Sequence, residues 1–339
     1  MHICLAVVMS FVVAIPAWAG DDALLLYGRL DVGVDVADVS GQGRHTAMVD
    51  NNSHMGLITR DTLAPGLAAI GGLDWSILVD SGAGSTPAYR NSYVGLAGAY
   101  GTVVAGRLDF GVPTGAPAYT AMLNDISLVA HDGGATTVAN FLNLRNRVSN
   151  AVGYMSPEFD GYTLRARYNR STPQTDPGYL AGGPLPPRLG QSDLSLGYEG
   201  GPVTASLAYA RDDRQGGPQP QDFRAKWQAS GSYALPAVRL YAMAGDDRYQ
   251  NTPATRSHVR YWLTGFSLPV SDLMQLTVNG MRRPLQNELR GGAANVQGGV
   301  VYFFSVRVRG FLVCDRMVAD DHLPGGITRT VSTGLQYRF

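Results

Sequence analysis

The sequence predicts an all-β fold, a transmembrane antiparallel β-barrel of about sixteen strands. Polar and apolar residues alternate with a period of two, as in Arg29-Leu30-Asp31-Val32 and Val306-Arg307-Val308-Arg309. Successive side chains of a strand point to opposite faces, so each such segment has one aliphatic and one polar face. Beyond the N-terminal segment, no apolar run reaches the roughly 18 residues that a membrane-spanning helix requires.

The segments with this alternation are about ten residues or longer, the length of a tilted strand that crosses a bilayer. We expect strands near 23–36, 52–63, 67–80, 89–98, 101–109, 147–156, 161–170, 190–199, 202–212, 223–233, 237–248, 257–269, 272–283, 293–303, 306–317 and 328–339.

The expected connectors alternate between short turns and long polar loops. Short turns are predicted at 64–66, 98–101, 158–161, 199–202, 235–236 and 268–271. Long loops rich in glycine, proline and polar residues are predicted at 38–51, 110–146, 171–189, 213–221 and 318–327. Short turns at one end and long loops at the other are typical of barrels in an outer membrane.

The N-terminus indicates export. Ile3 to Ile15 is apolar and is followed by Ala17-Trp18-Ala19, a small-x-small cleavage signal. We therefore expect a signal peptide at 1–19 and one barrel domain at 20–339. Cys314 is then the one cysteine of the mature chain, so no internal disulfide is expected.

Composition argues against several other classes. The formal net charge is zero, which gives no basic footprint for nucleic acid. We find no nucleophile elbow, phosphate-binding loop or metalloprotease motif, so no enzymatic activity is expected. No histidine stands at a metal-ligand spacing, and neither a metal nor a cofactor is predicted. A soluble β-sandwich usually has seven to nine strands, whereas about sixteen strands enclose a water-filled interior.

Several motifs, taken in order along the chain, resemble those of the general porins of β-proteobacteria, a Gram-negative porin family. They are Leu26-Tyr27-Gly28-Arg29-Leu30-Asp31, Ser53-His54-Met55-Gly56-Leu57, Leu67-Ala68-Ala69-Ile70, Tyr93-Val94-Gly95-Leu96, Gly106-Arg107, Ser149-Asn150-Ala151-Val152-Gly153-Tyr154 and the final Gln336-Tyr337-Arg338-Phe339. The chain departs from the family pattern at His54 and Gly153, where the family has arginine.

The resemblance implies a homotrimer in the outer membrane of a Gram-negative bacterium, with the long third loop, 110–146, folded into each lumen. Its implied partners are outer-membrane lipid, lipopolysaccharide and the barrel-assembly machinery, which reads the terminal Phe339 as an assembly signal. The implied function is passive diffusion of small hydrophilic solutes and ions. Two alternatives stay open: a channel that prefers a substrate or anions, and a non-conducting structural or adhesive barrel.

The resemblance also implies a constriction where loop carboxylates face arginines on the wall. Candidate constriction residues are Arg107, Arg90, Arg29, Arg60, Arg165, Arg167, Asp125, Asp132, Asp74 and Asp31. His54 is a candidate pH-sensitive lumen residue, because histidine titrates near physiological pH.

Overall fold

The computed structural model describes residues 23–108, 148–170, 190–212, 223–252, 255–284, 292–319 and 326–339. The predicted all-β class is confirmed, since these residues form seventeen strand segments and no helix. They are β1 (Ala23–Val39), β2 (Gly43–Asp50), β3 (His54–Ala64), β4 (Leu67–Ile77), β5 (Gly84–Gly98), β6 (Gly101–Leu108), β7 (Val148–Met155), β8 (Tyr162–Arg170), β9 (Gly190–Gly200), β10 (Val203–Asp212), β11 (Phe223–Ala234), β12 (Arg239–Thr252), β13 (Thr255–Ser271), β14 (Met274–Pro284), β15 (Gly292–Phe303), β16 (Val308–Ala319) and β17 (Ile327–Arg338).

The seventeen segments form sixteen barrel strands, because β2 and β3 are two parts of one strand. Both pair with β1: β2 along Val32–Val39 and β3 along Ala23–Arg29. Every neighbouring pair is antiparallel, and β1 also pairs with β17, which closes the sheet. The predicted closed barrel of about sixteen strands is therefore confirmed.

Two predicted connectors are wrong. The expected long loop at 38–51 is instead a turn at 40–42 between β1 and β2, because residues 43–50 pair with β1 despite their polar composition. The turn expected at 268–271 lies at 272–273. A bulge between Pro269 and Ser271 lets the strand continue past a proline that cannot donate a backbone hydrogen bond.

The two rims of the barrel differ. The turns at 65–66, 99–100, 160–161, 201–202, 236–237, 272–273 and 304–307 share one rim with the start of β1 and the end of β17. We call this the short-turn rim, and the opposite one the loop rim. The predicted signal peptide at 1–19 and the predicted third loop at 110–146 lie outside the described residues. Over the part of the chain that the structure describes, no helix is long and apolar enough to cross a membrane.

The barrel is inverted relative to a soluble protein. Its outward side chains are apolar and exposed, as shown by Leu24 at 69 % and Val94 at 66 %. Its inward side chains are polar and buried, as shown by Asp31 and Asn295, both at 1 %. An apolar outer face is what contact with hydrocarbon requires, and closure pairs the backbone groups that a bilayer cannot satisfy.

The seam between β1 and β17 is packed tightly by a phenylalanine. Gly33 and Gly334 face each other across the seam. The ring of Phe311, which is buried together with Val301 and Val313, covers both glycines from the inside. A ring lying over glycines in this way stabilises a strand pair where no side chain could fit.

Leu312 tests the inverted arrangement, because it lies outward, near the middle of β16, and is 50 % exposed. We expect Leu312→Arg to lower the free energy of unfolding in lipid vesicles by about 2–4 kcal/mol, the cost of a cation on the lipid face near the midplane. Urea titration in vesicles measures it, with Leu312→Val as the control. Equal stability of the two variants would contradict a lipid-facing Leu312.

Candidate pore lining

The inward faces of the described strands carry more positive than negative charge. Ten cationic side chains point inward: Arg29, Arg60, Arg90, Arg165, Arg167, Lys226, Arg239, Arg283, Arg309 and Arg338. Among the side chains that the structure describes, seven carboxylates share that face: Asp31, Asp35, Asp74, Asp193, Glu199, Asp247 and Asp315. The described wall therefore has a surplus of three positive charges, although the whole chain is neutral.

Part of this wall is organised by a bulge between β2 and β3. Asn52 in the bulge has φ +68°, a left-handed conformation that asparagine tolerates better than most residues. The guanidinium of Arg29 donates to the carbonyl oxygens of Asn51, at 2.7 Å, and Asn52, at 3.1 Å. Nδ1 of His54 lies 2.9 Å from the same Asn52 oxygen, and Arg90 donates to Oδ1 of Asn52.

Two carboxylates stand beside this group. Asp74 forms an ion pair with Arg90, with Nε and Oδ2 3.3 Å apart. Asp31 accepts hydrogen bonds from Asn51, at 3.2 Å, and from Gln336. The structure thus brings together five of the predicted residues, Arg29, His54, Arg90, Asp31 and Asp74, on the inner faces of β1, β3, β4 and β5.

Arg338 faces Arg29 across the seam and was not among the site residues predicted from the sequence. Like charges directly opposite each other destabilise a strand pair unless other groups compensate them. Nε of Arg338 donates to Oε1 of Gln336 at 2.8 Å, and Gln336 in turn binds Asp31. Strand alternation could have shown that Arg338 points inward, because it shares the parity of Gln336 on β17. Its partner Arg29 could not be predicted, because it lies at the other end of the sequence.

A second group that the sequence did not reveal lies on β11, β12 and β14. Asp247 is 3.5 Å from the ammonium of Lys226 and 3.7 Å from the guanidinium of Arg283. Two cations thus share one carboxylate, and this group contributes to the positive surplus.

The other predicted arginines on β3 and β8 also point inward. Arg60 pairs in register with Ile70, and Arg165 with Ser195, both nearer the short-turn rim. Arg167 is buried, forms an ion pair with Asp193 and donates to the carbonyl of Leu108 at 2.9 Å. Their predicted role at a constriction stays a prediction.

The Arg167–Asp193 pair gives a stability prediction. Arg167→Gln leaves a buried carboxylate without its cation, which costs about 3–5 kcal/mol. We expect the double variant Arg167→Gln/Asp193→Asn to recover most of that loss. Urea unfolding of both variants in detergent measures the difference, and an equally destabilised double variant would show that the pair does not carry the effect.

Arg107 lies at the outward parity of β6, and its predicted role at a constriction stays a prediction. It pairs in register with Ser92, at the parity of the exposed Val103, while Val104 and Leu108 are buried on the inner side. Its guanidinium donates to the carbonyl of Tyr89 at 3.1 Å and to the hydroxyl of Ser149 at 2.8 Å. Its place on the pore wall was implied by resemblance to the family's Gly106-Arg107 motif, whereas strand parity gives the outward face. The predicted loop residues Asp125 and Asp132 lie outside the described residues.

Phe339 lies at the seam on the short-turn rim. Its backbone exchanges two hydrogen bonds with Gly28, of 3.0 and 3.1 Å, and its ring fills the space over that glycine. The ring also stacks on Tyr337, with the centroids 6.1 Å apart. Its role as an assembly signal stays a prediction. The described residues contain no group of three or more histidine, cysteine or acidic side chains placed to hold a metal ion.

Solved structures similar to this chain include porins and other outer-membrane proteins. An anion-selective porin from Comamonas acidovorans is 19 % identical, with 94 % of this chain and 100 % of that chain covered and a TM-score of 0.75. In-vitro folded OmpT of Vibrio cholerae is 12 % identical, with 96 % of this chain and 100 % of that chain covered and a TM-score of 0.67. Salmonella typhi OmpF in complex with daunomycin is 15 % identical, with 93 % of this chain and 97 % of that chain covered and a TM-score of 0.66. At these identities the likeness shows the fold.

Sequence comparison shows the family. No curated protein sequence matches the chain. The family profile described as Gram-negative porin, however, matches residues 5–321, nearly the whole length. Together with the closed sixteen-stranded barrel, this match shows that the chain belongs to the Gram-negative porin family of outer-membrane proteins.

Proposed function

We propose that this porin, an outer-membrane channel through which small hydrophilic solutes diffuse passively, favours anions over cations. The observation that carries the proposal is the surplus of three positive charges on the described inner wall. A wall with a net positive charge stabilises an anion in the lumen and destabilises a cation.

The chemistry of the lining strengthens this preference. Nine of the ten inward cations are arginines, which stay charged over the whole physiological pH range. The protein wall has a low dielectric constant, so it focuses the field of these charges into the lumen instead of screening it. Rings of fixed charge are a common source of ion preference in channels.

Similarity to the anion-selective porin from Comamonas acidovorans supports the proposal. OmpT of Vibrio cholerae has been solved in a trimer form, and we propose a homotrimer here as well. We further propose that residues 1–19 are removed as a signal peptide. The terminal aromatic, in this account, is read by the assembly machinery.

Solute flux tests the proposal. Lipid vesicles with the purified mature protein would be loaded in turn with glucose, the anion glucuronate and the cation glucosamine, which are similar in size. We expect efflux in the order glucuronate, glucose, glucosamine. Faster efflux of glucosamine would overturn the anion preference, and no efflux of any solute from correctly folded protein would favour a non-conducting structural barrel.

A further inference from the structure

His54 lies on the inner wall of the barrel, directly after the bulge that joins β2 and β3. It pairs in register with Arg29 of β1, whose side chain points into the lumen. The side chain of His54 is half-buried, and its ring lies edge-on to the ring of Tyr27, with the centroids 6.4 Å apart. Neighbours on β1 and the bulge itself therefore hold this imidazole at the wall.

The contact with the bulge determines where the imidazole can gain a proton. Nδ1 of His54 is 2.9 Å from the carbonyl oxygen of Asn52. A carbonyl oxygen only accepts hydrogen bonds, so Nδ1 must carry a hydrogen and donate it. A second proton therefore goes to Nε2, and the ring gains a positive charge without losing this contact. Protonation thus changes the charge of the wall and keeps the hydrogen bond that positions the ring.

The titratable groups that share the inner face with His54 come from its own strand and from five others. Among the described residues they are Arg60 on β3, His45 on β2, Tyr27, Arg29, Asp31 and Asp35 on β1, Arg338 on β17, Asp74 on β4, and Arg90 and Tyr93 on β5. The guanidiniums oppose the uptake of a proton by the imidazole, and the carboxylates favour it. Arginine, aspartate and tyrosine ordinarily keep their charge state between pH 5 and pH 8, whereas histidine changes its charge in that range.

A proton on His54 adds its charge where two cations already converge. Arg29 donates to the carbonyl oxygen of Asn52 at 3.1 Å, and Arg90 donates to Oδ1 of the same residue. The protein wall has a low dielectric constant and directs the field of these charges into the lumen. Fixed charges at the wall set ion preference in channels. One further positive charge at this point therefore favours anions more strongly, whatever the other charges of the wall are.

We propose that His54 makes the anion preference of the channel depend on pH, because protonation of its imidazole in an acidic medium strengthens that preference. This inference rests on the proposed function, since it names the regulation of the same inner wall. At alkaline pH the neutral imidazole leaves the field to the arginines and carboxylates alone. At acidic pH the imidazolium joins Arg29 and Arg90 as a third cation held by Asn52.

Reversal potentials in a potassium chloride gradient across a planar bilayer, recorded at pH 8 and at pH 5, test the proposal. In the wild type we expect the ratio of chloride to potassium permeability to rise about twofold as the pH falls, which is the effect of one unit charge beside the lumen. His54→Gln should give the same low ratio at both pH values. His54→Arg, which is charged at both, should give the same high ratio.

His258→Gln is the matched control, because His258 is exposed on the outer face of β13. This variant should keep the pH dependence of the wild type. The other histidines, His45 among them, remain in His54→Gln, so a pH dependence that came from any of them would persist there. His54→Arg keeps the test decisive if glutamine at this position prevents folding, because the arginine variant must also lack the pH dependence.

Two results would overturn the role of His54: equal permeability ratios of the wild type at pH 8 and pH 5, or an undiminished rise in His54→Gln. Failure of the proposed function gives a different result. A wild-type channel that prefers potassium at both pH values would contradict the anion preference. Loss of its pH dependence in His54→Gln would still assign the titration to His54.

Discussion

Replacing Arg29 and Arg90 with glutamine is expected to lower the ratio of anion to cation permeability about fourfold. A unit charge about 8 Å from an ion in water contributes about 0.5 kcal/mol, which screening at physiological salt reduces to about 0.2 kcal/mol. Because that energy has opposite sign for the two ions, each lost charge changes the ratio about twofold. Reversal potentials in a salt gradient across a planar bilayer measure the effect.

The control for this experiment removes an ion pair and leaves the net charge unchanged. Arg90→Gln/Asp74→Asn deletes the cation and the carboxylate that bind each other at 3.3 Å. We expect its permeability ratio to stay close to that of the wild type. If the two double variants shifted the ratio equally, local geometry, and not the charge of the wall, would set the preference.

Replacing Gly334 with alanine is expected to prevent most molecules of the variant from closing into a barrel. A Cβ atom at this position would lie 2.2 Å from Cζ of Phe311 and 2.3 Å from the carbonyl oxygen of Val32. The carbonyl belongs to the neighbouring strand and cannot move without breaking the seam. Overpacking usually costs about 1–3 kcal/mol, and a clash with backbone lies at or beyond the upper end.

Refolding into detergent, followed by electrophoresis without heating, measures the folded fraction of this variant. Gly280→Ala is the matched control, because a Cβ there would meet only the ring of Trp262, at 3.9 Å. We expect the control to fold like the wild type. Normal folding of Gly334→Ala would contradict the packing described for the seam between β1 and β17.

The sequence was sufficient to predict the strands wherever alternation is uninterrupted. In residues 30–36, aliphatic side chains alternate with aspartates and a glycine. A closed barrel is the one fold of strands that can bury such aspartates inside and expose the aliphatic side chains to lipid. The same alternation correctly placed Arg29, Arg165 and Arg167 on the inner face. Alternation predicts the face of a residue because a register shift of one residue would turn the polar side chains of a strand towards lipid and the apolar ones towards the lumen.

Polar composition and bulges account for the errors. Residues 43–50 pair with β1 although many of them are polar, and one extra residue follows them at Asn51 to Ser53, so this segment was predicted as a long loop. The bulge between Pro269 and Ser271 likewise carries β13 past the turn predicted at 268–271. An inserted residue leaves no periodic trace in the sequence, and only the pairing of neighbouring strands reveals it.

The sequence also could not predict which charged side chains meet across neighbouring strands. Asp247 binds Lys226 and Arg283, which lie on two different strands, and Arg338 meets Arg29 only because the last strand closes on the first. Alternation gives the face that a residue occupies, but its neighbour depends on the register of strands that are distant in sequence. The inner charge groups therefore became visible only in the folded barrel.

The most direct test of the proposed anion preference is the reversal potential of the wild-type channel in a planar bilayer with a potassium chloride gradient. The positive wall predicts a reversal potential with the sign of chloride preference, which weakens as salt concentration rises and the wall charges are screened. A reversal potential with the sign of potassium preference at low salt would contradict this account.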